Sequence, residues 1–338
     1  MDSLTQIVLG AAVGGAVLAP RQARRGLVLG AVCGTLPDLD VIVPFPDPVT
    51  FFTYHRSVTH SFFYLTLATP LIVLLARRFA PPLLEEPKKL WAAAWLALVT
   101  HPLLDCFTVY GTQALLPFSN EPIAWATVFI IDPAYTAPLI VACILAWRRP
   151  PTARKACAWG LALSSLYLGW TVVAKVGAGR TMWAAIESRG LEAEAALIQP
   201  APFNSLLWRA VVMQPEGYLE GFYSVLDSEE DLGFRSYPSR PELLDDIAGE
   251  WAVERLRWFT KGFYRVDERA GVVRITDVRM GVEPYYIFSF EVGRRRDGQT
   301  VSAPAARTES AQPTAAQVSW VWRRIWNGAA AGSAPTTP

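Results

Sequence analysis

The feature that most constrains the fold is a series of apolar segments in the first half of the chain. They cover approximately residues 5–19, 26–45, 61–76, 90–107, 123–147 and 156–175. A helix needs about 20 mainly apolar residues to cross a bilayer, and several segments approach that length. Hydrophobic residues make up 52% of the chain. The series therefore predicts a mainly α protein with a polytopic helical membrane bundle of about five or six apolar helices.

Basic residues are distributed unevenly between these segments. Clusters follow the first, third and fifth segments: Arg21, Arg24, Arg25, Arg77, Arg78, Lys88, Lys89, Arg148, Arg149, Arg154 and Lys155. The alternate connections, about 46–60 and 108–122, contain only Arg56. By the positive-inside rule, the first set is cytoplasmic. This pattern predicts a multi-pass protein of the bacterial cytoplasmic membrane, with the other connections and the region after 176 on the extracytoplasmic side.

The long apolar segments end at about residue 176, which we take as the end of a transmembrane domain at 1–176. Residues 177–294 predict a small α+β extracytoplasmic domain, in which "SLLWRAVVMQPEGYLEGFYSVLD" reads as two strands around a Pro-Glu-Gly turn. Residues 295–338 are rich in Ala, Pro, Ser and Thr, which predicts a disordered tail. Within that tail, "VSWVWRRIWNG" is alternatively a short amphipathic helix at a membrane surface.

Glycines recur with four-residue spacing in the first two segments, at Gly10, Gly14, Gly26, Gly30 and Gly34. Small residues with this spacing let two helices approach closely. The alternative is that glycine is simply common in membrane helices.

Ionisable side chains inside or at the ends of apolar segments are costly, which makes them candidates for function. They are Asp38, Asp40, His55, His60, His101, Asp105 and Asp132. The set includes all three histidines of the chain. The topology, built from Arg and Lys alone, brings every member to the extracytoplasmic face, together with Asp2. This agreement favours one functional site.

The residue types point to a divalent metal. His101 and Asp105 are four residues apart and share one helix face. Imidazole nitrogen and carboxylate oxygen bind zinc and other first-row divalent metals. His60 could add a nitrogen and Asp38 an oxygen, and Pro37 suits a helix interruption that would aim Asp38 or Asp40 inward.

Simpler explanations exist for each motif alone. His101 and Asp105 could form a structural hydrogen bond, and "PDLD" could stop and cap a helix. "HRSVTHS" could be a loop with a helix cap at Ser57 or Thr59. The convergence of the three motifs favours the metal.

The same stretches carry a family likeness. "MDSLTQIVLGAAVG", "GTLPDLD", "HRSVTHS", "HPLLD", "YGTQALLPFS", "IIDPAYT" and "PAPFNSLLWR" together resemble the YdjM-like family of bacterial inner-membrane proteins. The likeness is strong over residues of about 1–145. It implies a membrane-bound metal-dependent hydrolase, with a pattern similar to zinc-dependent phospholipase C enzymes.

The resemblance implies a set of site residues that match the family's motifs. They are Asp38 and Asp40, then His55, Arg56, Thr59, His60 and Ser61, then His101 and Asp105. Two positions depart from the pattern: many relatives have His where this chain has Gln6, and Gly where it has Ser57. If that first histidine is a ligand elsewhere, this site would hold one metal, or use Asp2 or a water instead.

We therefore expect hydrolysis of an ester or phosphoester in a lipid or lipid-linked substrate at the outer membrane face. Zinc is the first candidate for the metal, with manganese and magnesium as alternatives. Asp38, His60, His101 and Asp105 would be ligands, and His55 a ligand or a proton shuttle. Asp40 would be a general base or would orient a ligand. Arg56 would hold a phosphate, unless it is only a loop arginine near lipid headgroups.

Three further residues are candidates for substrate contact or for support. Ser61 reads better as a helix-start residue than as a nucleophile. Asp132 precedes Pro133 and would cap the fifth helix or join the site, and Gln113 is a weaker substrate contact.

Other classes of protein fit less well. The net charge of +1 and the lack of a basic stripe argue against a nucleic-acid partner. A serine hydrolase would need a histidine to spare, and there is no GxSxG motif. The alternatives are a metal-binding transport or sensing protein and a non-catalytic membrane scaffold or regulator.

Overall fold

The computed structural model describes residues 1–79, 85–228, 232–308 and 315–328. The chain divides into two compact units. The first unit comprises Met1–Pro44 and His55–Val172, and the second comprises Phe45–Tyr54 and Val173–Pro338. The predicted boundary at 176 lies close to this division, but the short segment 45–54 belongs with the second unit.

The first unit is built from helices. They are α1 (Ser3–Leu18), α2 (Ala23–Thr35), α4 (Phe62–Phe79), α5 (Pro87–Cys106), α6 (Pro133–Arg148) and the first part of α7 (Ala153–Ser188). Two short 3-10 helices, Leu36–Ile42 and Val58–His60, follow α2 and precede α4. The core is a cluster of side chains from α1, α2, α4, α5 and α6, with Leu98 and Leu139 fully buried in it.

The glycine spacing is confirmed as a close helix contact. Gly10 and Gly14 of α1 face Gly30 and Gly26 of the antiparallel α2, and Gly34 faces Gln6. A Cβ atom on Gly30 would lie 2.0 Å from the Gly10 carbonyl oxygen. Because no side chain larger than hydrogen fits there, the two backbones touch and hold the end of α2 beside the start of α1.

The second unit contains two antiparallel four-stranded sheets and a short hairpin. The first sheet has the order β1 (Ala195–Pro200), β2 (Leu207–Gln214), β3 (Gly217–Ser224), β4 (Phe234–Pro238). The second has the order β10 (Gln299–Arg307), β9 (Ser289–Arg296), β6 (Val272–Asp277), β5 (Tyr264–Arg269). The hairpin is β7 (Gly281–Val282) with β8 (Tyr285–Tyr286). The predicted hairpin around Pro215-Glu216-Gly217 is confirmed by the pairing of β2 with β3.

Helices complete this unit. Met182 and Ile186, near the end of α7, pack against β2 and β3. The short helix α3 (Pro48–Tyr54) and α8 (Trp251–Thr260) meet through Phe52 and Phe259, whose ring centroids are 4.9 Å apart. The last helix, α9 (Ala315–Asn327), packs against the first sheet.

The prediction of a mainly α polytopic bundle of five or six apolar helices is wrong. In the described residues one helix, Pro150–Ser188, is long and apolar enough to cross a membrane, or two candidates exist if the bent pair Pro48–His60 and Phe62–Arg78 is one span. With 16, 13 and 16 residues, α1, α2 and α6 fall short of the length that crosses a bilayer. One part of their apolar side chains packs into the core of the unit, and another part, including Leu4, Val32 and Val141, is exposed. Hydropathy therefore located apolar helices but did not give their length.

The second unit is also larger in β structure than the sequence indicated, and the prediction of a disordered tail is wrong for two segments. Residues 299–307 form β10, which pairs with β9, and 315–327 form α9. Composition alone missed both because partners distant in sequence provide the order. The remaining tail positions, 309–314 and 329–338, lie outside the described residues.

Candidate metal centre

Four side chains from three parts of the first unit converge on one point. Asp38 lies in the 3-10 helix Leu36–Ile42, which directly follows α2 and has Pro37 as its second residue. His60 ends the 3-10 helix Val58–His60, and His101 and Asp105 lie one turn apart on α5. One ligand atom from each of the four lies within 4.8 Å of all the others. The structure thus brings together Asp38, His60, His101 and Asp105.

The separations match those of a tetrahedral centre. His60 Nε2 and His101 Nε2 are 3.2 Å apart. Asp38 Oδ1 lies 3.3 Å from His60 Nε2 and 3.4 Å from His101 Nε2, and the corresponding distances from Asp105 Oδ2 are 3.4 and 3.3 Å. Four ligands at about 2.0–2.1 Å from a zinc ion would be about 3.3–3.4 Å apart. Five of the six pairs therefore have the expected spacing.

The hydrogen bonds around the histidines assign their tautomers. His101 Nδ1 lies 2.7 Å from the carbonyl oxygen of Gly34, so this nitrogen carries the hydrogen. Thr59 donates its hydroxyl hydrogen to Asp40 at 3.0 Å. The Thr59 hydroxyl oxygen, 3.0 Å from His60 Nδ1, is therefore the acceptor, and His60 Nδ1 carries the hydrogen. In the neutral rings both Nε2 atoms then present lone pairs toward each other.

A bound cation would stabilise this arrangement. Two nitrogen lone pairs and two carboxylates repel one another at these distances unless positive charge lies among them. Asp105 Oδ2 is also buried and makes no hydrogen bond in the described part of the chain. Such an orphaned acceptor costs about 1–3 kcal/mol unless a ligand satisfies it. The donor set, the spacing and the orphaned oxygen all fit a divalent metal such as zinc.

A second layer of contacts fixes the ligands. The other oxygen of Asp105 accepts a 3.0 Å hydrogen bond from Gln6 Nε2, pairs with Arg56 Nη1 at 3.5 Å and accepts from the Met1 amino group. Gln6 thus holds a ligand and is not a member of the group of four. Outer contacts of this kind orient metal ligands and set their basicity.

Asp40 is the centre of a second hydrogen-bonded cluster next to the ligands. Its carboxylate is bonded to His55 Nδ1 at 2.9 Å, to the Arg56 backbone N–H at 3.2 Å and to the Thr59 hydroxyl at 3.0 Å. Asp40 therefore reaches His60 through Thr59 and orients His55 directly. His55 lies outside the group of four, and 17% of its side chain is exposed.

The aspartates of both clusters are ionised at neutral pH. Burial opposes ionisation of Asp38, but protonated imidazoles of His101 and His60 would outweigh burial through hydrogen bonds and charge and would hold the pKa of its carboxyl below the usual value. For Asp40, burial is likewise outweighed by the hydrogen bond and charge of His55, so its pKa is also lowered. Ionised carboxylates are the form that binds a metal and that accepts hydrogen bonds from imidazole.

Arg56 is buried and adopts a left-handed backbone conformation with φ of 61°. Its N–H is bonded to Asp40, its carbonyl accepts from the Gln113 N–H at 2.9 Å, and its guanidinium donates to Thr108 at 3.1 Å. A non-glycine residue in this region costs of the order of 1–3 kcal/mol. The contacts impose that conformation and aim the guanidinium at Asp105.

The remaining predicted residues take supporting positions. Ser61 donates to the carbonyl of Leu116, and Gln113 is buried and supports Arg56 through its backbone. Asp2 caps α1 by accepting from the Thr5 N–H, and Asp132 caps α6 and accepts from the Tyr167 hydroxyl at 2.8 Å. The helix-capping interpretation of Asp132 is confirmed.

Two residues of the site were not predicted from the sequence, Thr108 and Tyr110. Thr108 anchors Arg56, and the Tyr110 ring lies 5.0 Å from the Arg56 guanidinium and 5.7 Å from the His55 ring. Both lie just after α5, and Tyr110 opens the motif "YGTQ". The motif pointed to Tyr110, but neither the phenol of Tyr110 nor the hydroxyl of Thr108 is an obvious partner of a metal site.

The fold and the site define a protein with a helical unit and a β-rich unit, whose helical unit carries a two-histidine, two-aspartate group that could hold a metal ion. The chain belongs to the family of YdjM inner membrane proteins, whose model matches residues 1–178. This match contains every residue of the site and confirms the resemblance seen in the motifs. Family membership indicates an inner membrane protein.

One curated relative is the uncharacterized protein YfhP of Bacillus subtilis (strain 168), which is 29% identical over 140 residues. The aligned region covers 39% of this chain and 42% of that protein. The similarity therefore spans well under half of the relative. No solved structure matches the chain significantly.

Proposed function

We propose that the protein is a divalent-metal-dependent hydrolase of an ester or phosphoester in a lipid or lipid-linked substrate. The observation that carries the proposal is the buried group Asp38, His60, His101 and Asp105, with a histidine–aspartate pair beside it. Zinc suits this donor set best, and manganese or magnesium are alternatives.

A bound divalent cation supplies Lewis acidity toward an ester or phosphoryl oxygen and favours ionisation of water near neutral pH. Asp38 is 19% exposed, whereas His60, His101 and Asp105 are fully buried. The group therefore opens on the side of Asp38. A substrate would reach the site from there.

His55 is the proton acceptor in this proposal. Asp40 accepts from its Nδ1, so Nε2 is the basic nitrogen of the ring. The pair resembles the orienting carboxylate and base of other hydrolytic sites, where the carboxylate fixes the tautomer and stabilises the protonated ring. His55 would take the proton from the attacking water and return it to the leaving group.

Arg56 acts on Asp105 rather than on the substrate. Its side chain is 3% exposed and lies against Asp105 and Thr108. The charge of Arg56 compensates that of the buried Asp105 carboxylate.

An apolar rim supports an amphiphilic substrate. Exposed hydrophobic side chains flank the site residues along the chain: Leu39, Val41, Ile42, Val43 and Val58. They occupy the same 3-10 helices as Asp38, Asp40 and His60, or follow directly. A rim of this composition favours acyl chains near the opening and would let a lipid approach along the membrane.

The charges support an extracytoplasmic site. In α4, which belongs to the bent candidate span, Arg77 and Arg78 lie at the end opposite to His60. In α7, Arg154 and Lys155 lie at the start of the candidate span. By the positive-inside rule this favours the site and the second unit on the outer side of the cytoplasmic membrane.

One observation favours a second candidate. Four protein ligands are typical of structural zinc sites, whereas catalytic sites usually have three and an open position. On this alternative the metal only stabilises the first unit, and the protein is a metal-binding sensor or a scaffold.

The two are separated by an assay of the purified protein in lipid nanodiscs with zinc or manganese, using a chromogenic ester, a chromogenic phosphodiester and phospholipid as substrates. We expect turnover by the wild type that is lost in His60→Ala and in His55→Gln, although His55→Gln still binds metal. Full metal occupancy without turnover of any of these substrates would favour the structural role.

A further inference from the structure

The last described helix presents tryptophans on two opposite sides. On its inner side, Trp320, Val321 and Ile325 are buried against Leu207 and Phe222 of the first sheet. On its outer side, Trp322 is 45% exposed and Trp326 is 66% exposed. Ser319, also exposed, lies three residues before Trp322 and shares its face.

Polar contacts prevent the outer tryptophans from turning inward. Arg324 donates to Asp227 at 3.0 Å and to the carbonyl of Phe222 at 2.8 Å. Ser224 donates to the carbonyl of Ile325 at 3.0 Å. These bonds join both the side chains and the backbone of the helix to the end of β3, so the outer face of α9 is fixed outward.

The outer face has the composition of a membrane interface. Trp322 and Trp326 each combine a large apolar ring with one N–H donor, and tryptophan is enriched where lipid headgroups meet acyl chains. Arg323 lies beside them and is exposed, which suits contact with a lipid phosphate.

The same unit continues from the candidate membrane span. Val173 begins the second unit within α7, and Ala174, Ala178 and Met182 of that helix pack against the first sheet. The sheet that holds α9 is therefore attached to the end of the helix that is long enough to cross the membrane. A bilayer surface is within reach of this unit.

We propose that the outer face of α9 lies in the headgroup region of the membrane and anchors the second unit to lipid through Trp322 and Trp326. This interaction is independent of the metal and of the hydrolase proposal. A second copy of the chain is the competing occupant.

A fluorescent label at Ser319→Cys tests the proposal in the full chain, reconstituted in nanodiscs of phosphatidylethanolamine and phosphatidylglycerol. The native Cys33, Cys106 and Cys157 are buried and Cys143 is half-buried, so the unsubstituted chain reports background labelling. Glu216→Cys is the matched control, because it lies at the far end of the β2–β3 hairpin, about 23 Å from the end that contacts α9.

We expect spin-labelled lipid to quench the label at 319 several-fold more than the label at 216, and aqueous iodide to show the reverse order. Adding Trp322→Ala and Trp326→Ala should bring the quenching at 319 down to that at 216. Equal lipid quenching at both positions, or no effect of removing the tryptophans, would overturn the proposal. A label at 319 shielded from both quenchers would assign the face to a protein partner instead.

Discussion

Thr59 gives the sharpest test of how the site is assembled, because one hydroxyl joins its two clusters. This hydroxyl donates to Asp40 and accepts from His60 Nδ1, each at 3.0 Å. Thr59→Val keeps the shape and removes both bonds. His60 then loses the contact that places the lone pair of Nε2 toward the metal.

The expected loss is large enough to measure. Removing an outer-layer partner of a metal ligand typically costs 10–100-fold in affinity, which is about 1.4–2.8 kcal/mol. Thr59→Ser keeps the hydroxyl and should bind zinc within a few-fold of the wild type. The assay is competition for zinc against a chromophoric chelator in detergent, with thermal unfolding of each apoprotein as a check on folding. Wild-type affinity in Thr59→Val, or equal weakening in Thr59→Ser, would refute the proposed role of the hydroxyl.

Three further predictions concern pH, helix packing and the second unit. Zinc affinity should fall by up to about two orders of magnitude per pH unit below the imidazole pKa, because two histidines must lose their protons to bind metal; an affinity unchanged between pH 7 and 5, measured by the same competition, would exclude both as ligands. In Gly30→Ala the new Cβ must move from 2.0 Å to at least 3.0 Å from the Gly10 oxygen. This substitution should lower the free energy of unfolding in detergent by about 1–3 kcal/mol. The control Gly169→Ala, where a Cβ has nothing within 4 Å, should not lower the unfolding temperature. Glu220→Gln leaves the charge of the buried Arg209 without its partner and should lower the free energy of unfolding by about 3 kcal/mol; a loss no larger than that of Glu242→Gln, in an exposed pair with Arg240, would contradict this reasoning.

The convergence of Asp38, His60, His101 and Asp105 was predictable because local chemistry and periodicity both restrict it. The i, i+4 spacing of His101 and Asp105 puts them on one face of any helix. Pro37 indicated an interruption, and the 3-10 helix that begins at Leu36 places Asp38 in the group. His60 followed from the scarcity of histidine in the chain.

The pairing of His55 with Asp40 was not predictable from spacing. It depends on the turn at Arg56, whose left-handed conformation is imposed by contacts to Asp40 and to Gln113. Sequence patterns carry little information on a backbone conformation that distant residues enforce. For the same reason His55 could not be separated in advance from the ligands.

The architecture was harder to predict than the site. Hydropathy gave six apolar segments, but α2 is 13 residues long and buries its glycine face against α1. Apolar composition is the same whether lipid or a neighbouring helix covers it. The order of α9 likewise depends on Trp320 reaching Phe222, about a hundred residues earlier in the chain, at a ring distance of 5.0 Å, and such a contact is not visible in a local composition.

The most direct test of the metal centre is the metal content of the purified protein by mass spectrometry. Wild type should contain about one divalent ion per chain, as expected for one set of four ligands. His60→Ala and His101→Ala should lose it, while His55→Gln, the matched control outside the group of four, should retain it. A wild-type protein without metal after incubation with zinc or manganese, or a metal retained in His60→Ala and His101→Ala, would contradict the account.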